Sequence, residues 1–194
     1  ITFATDRIGW YAVHVNANDI AAMGARPRWF FNVLLVPETP TNSSLIETIM
    51  FDLRKACDSL NINIAGGHTE ITPQLDRPIV IGQMLGEVDK AKLIRKTSLV
   101  EGDLILLTHG VAIEGTAILA KEKANILRDK IPCEQLRKAE NYLFEPGISV
   151  VEAALTATET GEVHAMHDPT EGGLLSGLYE LAEAAGLGLR VLQN

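Results

Sequence analysis

The 194-residue chain is 46% apolar, 22% charged and 5% aromatic, a composition of packed domains that excludes a disordered or fibrous chain and a disulfide-stapled peptide. Seventeen Lys and Arg against 25 Asp and Glu leave a net charge of −8, so nucleic acid would meet repulsion, while a nucleotide can still be held through a divalent cation set between carboxylate and phosphate. Cys57 and Cys133 belong to no Cys-x-x-Cys or Cys/His ligand spacing, and no leader or membrane-length apolar run is visible, which together point to a soluble protein of a reducing cytoplasm.

Taken in chain order, Ile1-Thr2-Phe3-Ala4-Thr5-Asp6 reads as a strand entered midway. Small and apolar residues at Val13, Ala17, Ile20, Ala21 and Gly24 then recur every three or four positions, predicting a buried helix face between Ile8 and Gly24 that Pro27 keeps from running on. Trp29 to Val36 is a strand, and Ser44 with Glu47 forms a capping box for a helix that turns Leu45, Ile49, Leu53, Ala56 and Leu60 inward. Ile62 to Ala65 is a short strand ending in Gly66-Gly67, and Pro78 to Val88 a longer, β-branched one. The basic stretch Lys90 to Lys96 reads as a linker between a domain at 1–96 and another at 97–194. Beyond it come strand Leu104 to Thr108, a turn at His109-Gly110, helices over Glu114–Ala124, Glu134–Phe144 and Ser149–Thr158, strand Val163–Met166, helix Leu174–Ala185 stopped by Gly186, and strand Leu187–Leu192. Strands alternating with helices in both halves predict α/β or α+β layers. The strands at either end predict a fragment.

Several short constellations can carry chemistry. Asn16 and Asp19 lie three apart on the first helix and can ligate one ion, or merely tolerate exposure; Asp6 can be a ligand or that helix's cap. Gly66-Gly67-His68-Thr69-Glu70 follows a strand with paired glycines, where backbone N–H groups can approach a phosphate, or where a tight turn is simply made. On a strand, alternation parts His167 from His164 and Asp168, which argues against a zinc triad. Asp168-Pro169-Thr170-Glu171-Gly172-Gly173 sets a carboxylate before a glycine turn and a helix N-terminus, an anion site or an ordinary cap by Asp168 or Thr170. Thr108-His109-Gly110 ahead of Glu114-Gly115-Thr116 makes a second such junction, suited to a phosphate or a polar substrate.

In their order along the chain, Thr5-Asp6, then Asn18-Asp19-Ile20-Ala21-Ala22-Met23-Gly24-Ala25-Arg26-Pro27, then Gly66-Gly67-His68-Thr69-Glu70, then Asp168-Pro169-Thr170-Glu171-Gly172-Gly173, the sequence resembles the aminoimidazole ribonucleotide (AIR) synthetase, or PurM-like, superfamily over essentially its whole length. The forms of the motifs are most similar to the hydrogenase-maturation HypE branch and its AIR-synthase-related neighbours. The resemblance implies a two-domain α/β protein whose N-terminal halves pair in a homodimer around a shared β-barrel, with ATP near the interface and Mg²⁺ on its phosphates. It implies Asp6, Asp19 and Asp168 as metal ligands, and Asn18, Gly66, Gly67, His68, Thr69, Glu70, Thr170, Gly172 and Gly173 as the nucleotide's border. Thr108, Gly110, Gly115 and Thr116 are the candidate substrate contacts.

The implied reaction is attack of a carbonyl, amide or similar oxygen on the γ-phosphate of ATP, with Glu180 as general base and His68 or His167 orienting substrate or phosphate. Departures from the family narrow the reading. An acidic motif upstream of Thr5-Asp6 and the end of the second domain are absent. His68-Thr69-Glu70 stands where HypE has Asp-Thr-Lys, losing a carboxylate and a proposed catalytic lysine, whereas Glu180 matches a glutamate that HypE sets beside that lysine. The HypE tail ending in cysteine is missing as well. A nucleotide-binding scaffold without catalysis, or a small-molecule kinase of the thiamine monophosphate kinase type, is the alternative, and the substrate, small or protein-borne, is not specified. Asp19 and Asp168 are expected to converge on one acidic cavity between the halves.

Overall fold

The computed structural model describes residues 6–192; the expected strand over residues 1–6 lies outside them except for Asp6, which is in a bend. Helix α1 (Ile8–Ala21) leads into strand β1 (Arg26–Pro37), helix α2 (Ser43–Ser59), strand β2 (Asn63–Thr72) and strand β3 (Ile79–Glu87). The three strands form one sheet in the order β2-β1-β3. β1 runs parallel to β2, with α2 as the crossover such a pair requires, and antiparallel to β3. Pro27 is inside β1 rather than only a helix stop. It is tolerated because the β2 ladder begins at Trp29, so its missing N–H costs nothing on that side.

Alternation along β1 turns Phe30, Leu34 and Val36 inward, where they meet Val80 and Met84 of β3 and the small-residue stripe Ala12, Val13, Ala17 and Ala21 of α1. Small side chains let α1 lie close to its neighbours. At Gly9 the approach to α2 is close, since a Cβ there would come within 2.6 Å of the Ile49 carbonyl oxygen and 2.8 Å of the Leu53 nitrogen. The cap of α2 is Asn42, whose side chain accepts from Leu45 N at 2.9 Å; Ser44, expected as the cap, is already inside the helix, its carbonyl accepting from Thr48 Oγ1.

Two expectations about strands are corrected. β2 does not stop at Gly66-Gly67 but continues through His68, Thr69 and Glu70 to Thr72, paired with β1 from Trp29↔Asn63 to Pro37↔Thr72. The glycines extend the strand because β1 supplies a partner for every residue there. Conversely, Leu104–Thr108, Val163–Met166 and Leu187–Leu192 belong to no ladder among the described residues, and Leu104 and Leu106 are nearly 90% exposed. Apolar, β-prone sequence makes a strand only where a neighbour completes its hydrogen bonds.

The second half adds helices α3 (Ile113–Glu122), α4 (Ala124–Leu127), α5 (Cys133–Asn141), α6 (Val151–Glu159) and α7 (Gly173–Ala185). The helix expected through Phe144 ends at Asn141 and gives way to a wide turn over Leu143–Gly147 that contains Pro146. α1 is enclosed by both halves: Val151 and Ala154 of α6 join the core beneath the sheet, while Tyr11 of α1 packs with Ala117, Leu143 and Ile148 in a second cluster. The basic linker is not a loose tether. Its Ile94 is buried and donates its N–H to the Met23 carbonyl at 3.1 Å, which docks the segment on the end of α1.

Candidate functional site

Docking α1 between the halves brings Asp19, near its C-terminal end, towards the His167-Asp168 segment that leads into α7. The Asp168 carboxyl, whose side chain is 14% exposed, is pushed up to about 6, first by burial and second by the charge of Asp19. Asp19 is held above the ordinary carboxylate range by burial of its carboxyl, against the pull of His167 and Lys96. Glu114, in the first turn of α3, is raised as well, by burial and then by Asp168. Three carboxylates thus share one region, and each resists ionising there.

Basic groups border this region on one side. His167 Nε2 lies 2.7 Å from Glu180 Oε2 on α7, and its Nδ1, buried and without a hydrogen-bond partner among the described residues, faces Asp168 Oδ1 at 3.9 Å. Lys96 Nζ donates to the same Glu180 oxygen at 3.3 Å. Those bonds, His167's first and Lys96's second, keep the Glu180 carboxyl below its ordinary range. His164 turns the other way and pairs with Asp103 at 2.9 Å, so the two histidines do not share a ligand.

The remaining candidates are distributed differently from the expectation. Asn18 is buried and spends both ends of its amide on backbone across the molecule, donating Nδ2–H to the Ile148 carbonyl at 2.8 Å and accepting from Val150 N at 2.9 Å. It latches α1 to the start of α6 rather than facing a nucleotide. Asp6 is at the opposite end of α1 from Asp19, about 16 Å away along eleven helical residues at about 1.5 Å each, and pairs with Lys121 at 3.7 Å. Neither Asp168 nor Thr170 caps α7: the position before the helix is Gly172, at φ 73°, with no side-chain cap bond, while Thr170 Oγ1 donates to the Asp168 carbonyl. Among the described residues no side chain caps the first turn of α7, which follows Asp168 by a few residues.

Gly66 and Gly67 form no phosphate-cradling turn. Gly67 serves packing, since a Cβ there would fall 2.4 Å from the Asn32 carbonyl oxygen. On the same exposed strand His68 pairs with Glu70 at 3.2 Å, and Thr69 stands opposite Leu34 in register. Thr108, Gly110 and Gly115 are exposed around the start of α3, and Thr116 is half-buried within it. A groove of about 520 Å³ runs along α7 past Leu175, Leu178 and Val191, a pocket of about 350 Å³ is lined by Asp6, Arg7, Asp52 and Arg77, and neither is lined by Asp19 or Asp168.

Sequence reasoning passed over Glu114 and Lys96. A glutamate in a helix's first turn and a lysine in a basic linker carry no signal of burial or of a distant partner. It also passed over His14, buried on α1 against Trp10 with ring centroids 4.5 Å apart and pushed by burial down to about 4.

The donor set suits a hard cation. Among the described residues no three His, Cys, Asp or Glu side chains close on one point. Mg²⁺, however, is commonly held by one or two carboxylates together with phosphate oxygens and water. A partly desolvated carboxylate raised further by a neighbouring carboxylate, as Asp168 is by Asp19, is what such an ion relieves.

Residues 2–88 match the model for the N-terminal domain of AIR synthase related proteins, and residues 100–193 the model for the C-terminal domain. The chain belongs to the AIR synthase-related family. A Methanocaldococcus jannaschii relative named for hydrogenase expression/formation is 30% identical over the whole chain, which covers 54% of that relative. Among solved structures, thiamine-monophosphate kinase from Stenotrophomonas maltophilia superposes with a TM-score of 0.75 at 26% identity, covering 93% of this chain and 54% of the kinase. Hydrogenase maturation protein HypE in complex with ATP superposes with a TM-score of 0.69 at 24% identity, covering 92% and 50%. The architecture is the mixed α/β, PurM-like one, and the chain spans about half the length of each of these proteins.

Proposed function

We propose that the intact protein is an ATP- and Mg²⁺-dependent enzyme that activates a carbonyl, amide or similar oxygen by phosphoryl transfer. The observation that supports the reading is the approach of Asp19 and Asp168, distant in sequence, where the charge of Asp19 adds to burial in raising the Asp168 carboxyl. A solved family member, HypE, binds ATP, which supports the same ligand here.

In this reading Asp19 and Asp168 hold Mg²⁺, which when bound neutralises charge on the phosphoryl group in flight. The uncapped first turn of α7, with Gly172, Gly173 and Thr170, donates N–H groups to phosphate oxygens. Glu180, kept ionised by His167 and Lys96, accepts a proton from the attacking group, and His167 orients that carboxylate through the bond at Nε2. Thr108, Gly110, Gly115 and Thr116 border the substrate.

We assign two domains, 1–96 and 97–194, a cytoplasmic location and a homodimer paired through the outer face of the sheet. Trp29, Ile81 and Leu85 on that face are all more than a third exposed, an apolar surface that a partner copy would cover. Among the described residues no helix is long and apolar enough to cross a membrane.

A second reading, nucleotide binding without turnover, is favoured by one observation. His68 is engaged with Glu70 on β2, away from the bonds that tie Glu180 to His167 and Lys96. A kinase that leaves the phosphoryl group on its product is the third. Isothermal titration with MgATP, a phosphate-release assay and mass spectrometry of products separate them. Binding with release supports the dehydrating enzyme, binding with a phosphorylated product the kinase and binding alone the scaffold. Absence of MgATP binding by the intact protein would overturn all three.

A further inference from the structure

A nucleotide's phosphates, even with one divalent ion, remain anionic, and Asp19, Asp168, Glu114 and Glu180 surround them with like charge. A cation from the protein is needed near the phosphates. The cationic side chains whose charges act on both Asp19 and Asp168 are His167, which is committed to Glu180 at 2.7 Å, and Lys96. We infer that Lys96 is the phosphate-binding cation of this site, parked on Glu180 when the site is empty and released to the terminal phosphates when they arrive. The inference rests on the nucleotide reading of the site given above.

Geometry supports the exchange. The backbone of the segment is anchored by the buried Ile94 and its hydrogen bond to Met23, two residues before Lys96. The side chain is 41% exposed and its only hydrogen bond among those described is the 3.3 Å contact to Glu180, itself 49% exposed. A half-exposed ion pair of that length contributes little and is given up cheaply. Four rotatable bonds let an ammonium on a fixed backbone sweep several ångströms, and three donors suit phosphate oxygens. When Lys96 leaves, His167 still holds the Glu180 carboxylate in place through the same oxygen. Lys96 then leaves Glu180 one donor poorer and more basic, so arrival of phosphate and readiness of the base are coupled.

The alternative is that Lys96 only ties the linker to α7. The two roles separate in intact protein carrying Lys96→Gln, Lys96→Arg or Glu180→Gln, titrated with MgATP and with adenosine and followed by thermal melts. The expected result is that Lys96→Gln weakens MgATP at least tenfold and leaves adenosine affinity and melting temperature unchanged. Lys96→Arg restores most of the MgATP affinity, and Glu180→Gln, which frees Lys96, holds or raises it. MgATP affinity unaltered in Lys96→Gln overturns the inference. So does a parallel loss of MgATP affinity and melting temperature in Lys96→Gln and Glu180→Gln, the mark of a tie. Wild-type protein that binds no MgATP overturns the nucleotide reading itself, a failure visible before any variant is made.

Discussion

Replacing Asp168 by Asn keeps the shape of the side chain and removes its charge. The carboxyl titrates at about 6 in the folded chain against an ordinary 3.8. That gap is about two units at about 1.4 kcal/mol each, so ionising Asp168 costs the folded state up to about 3 kcal/mol. The folded pKa is raised, so the folded state holds its proton more tightly than the unfolded one. The penalty is therefore absent below pH 3.8, grows as pH rises towards 6 and is complete above it. Asp168→Asn removes the penalty. At pH 8 the ligand-free variant should be more stable than the wild type by about 1–3 kcal/mol, a rise of roughly 2–10 °C in melting temperature for a chain of this size, and the difference should vanish by about pH 4. No cap is lost, because Gly172 and not Asp168 occupies the position before α7. MgATP affinity should move the other way and fall about tenfold or more, about 1.4 kcal/mol of lost ligation. Melts of both proteins between pH 4 and 8, with and without MgATP, test both halves. A variant less stable than wild type at pH 8, or MgATP affinity that does not change, would refute the reasoning.

The paired glycines separate packing from phosphate binding. Gly67→Ala places a Cβ 2.4 Å from the Asn32 carbonyl oxygen and should cost about 1–3 kcal/mol by forcing β2 from β1, while Gly66→Ala meets only Phe31 at 3.6 Å and should be tolerated; equal effects in chemical denaturation would count against a packing role. Asn18→Ala leaves the Ile148 carbonyl and Val150 N–H without their partner and should lower stability by about 2–3 kcal/mol, at roughly 1–1.5 per bond, in urea melts; a neutral result would show that the latch contributes nothing. Leu85→Lys charges the outer face of the sheet and should convert the proposed dimer to monomer in light scattering, whereas an unchanged mass would place the interface elsewhere.

The helices were legible because their hydrogen bonds are local. The three- and four-residue spacing of Val13, Ala17 and Ala21, and of Ile49, Leu53 and Ala56, names a buried face without knowledge of what covers it, and α1 and α2 follow within a few residues. Trp29–Val36 and Pro78–Val88 were legible for a similar reason, as runs rich in β-branched and aromatic residues that happen to be neighbours in one sheet. Asp19 and Asp168 could be nominated because each sits in a short motif whose order along the chain is itself a signal. What the sequence could not hold is anything that depends on a partner remote along the chain. Gly66-Gly67 looks like a strand end until β1 is seen to pair with it. Leu104–Thr108 and Leu187–Leu192 look like strands, yet no described neighbour completes their ladders. Asn18 reads as a border of the nucleotide until its amide is found gripping residues 148 and 150, and Lys96 reads as linker until Glu180 is found beside it. Side-chain periodicity is a property of consecutive residues and survives in one dimension. Strand pairing, desolvation of a carboxyl and the meeting of charges arise only when packing of α1 between the halves brings distant residues within a few ångströms of each other.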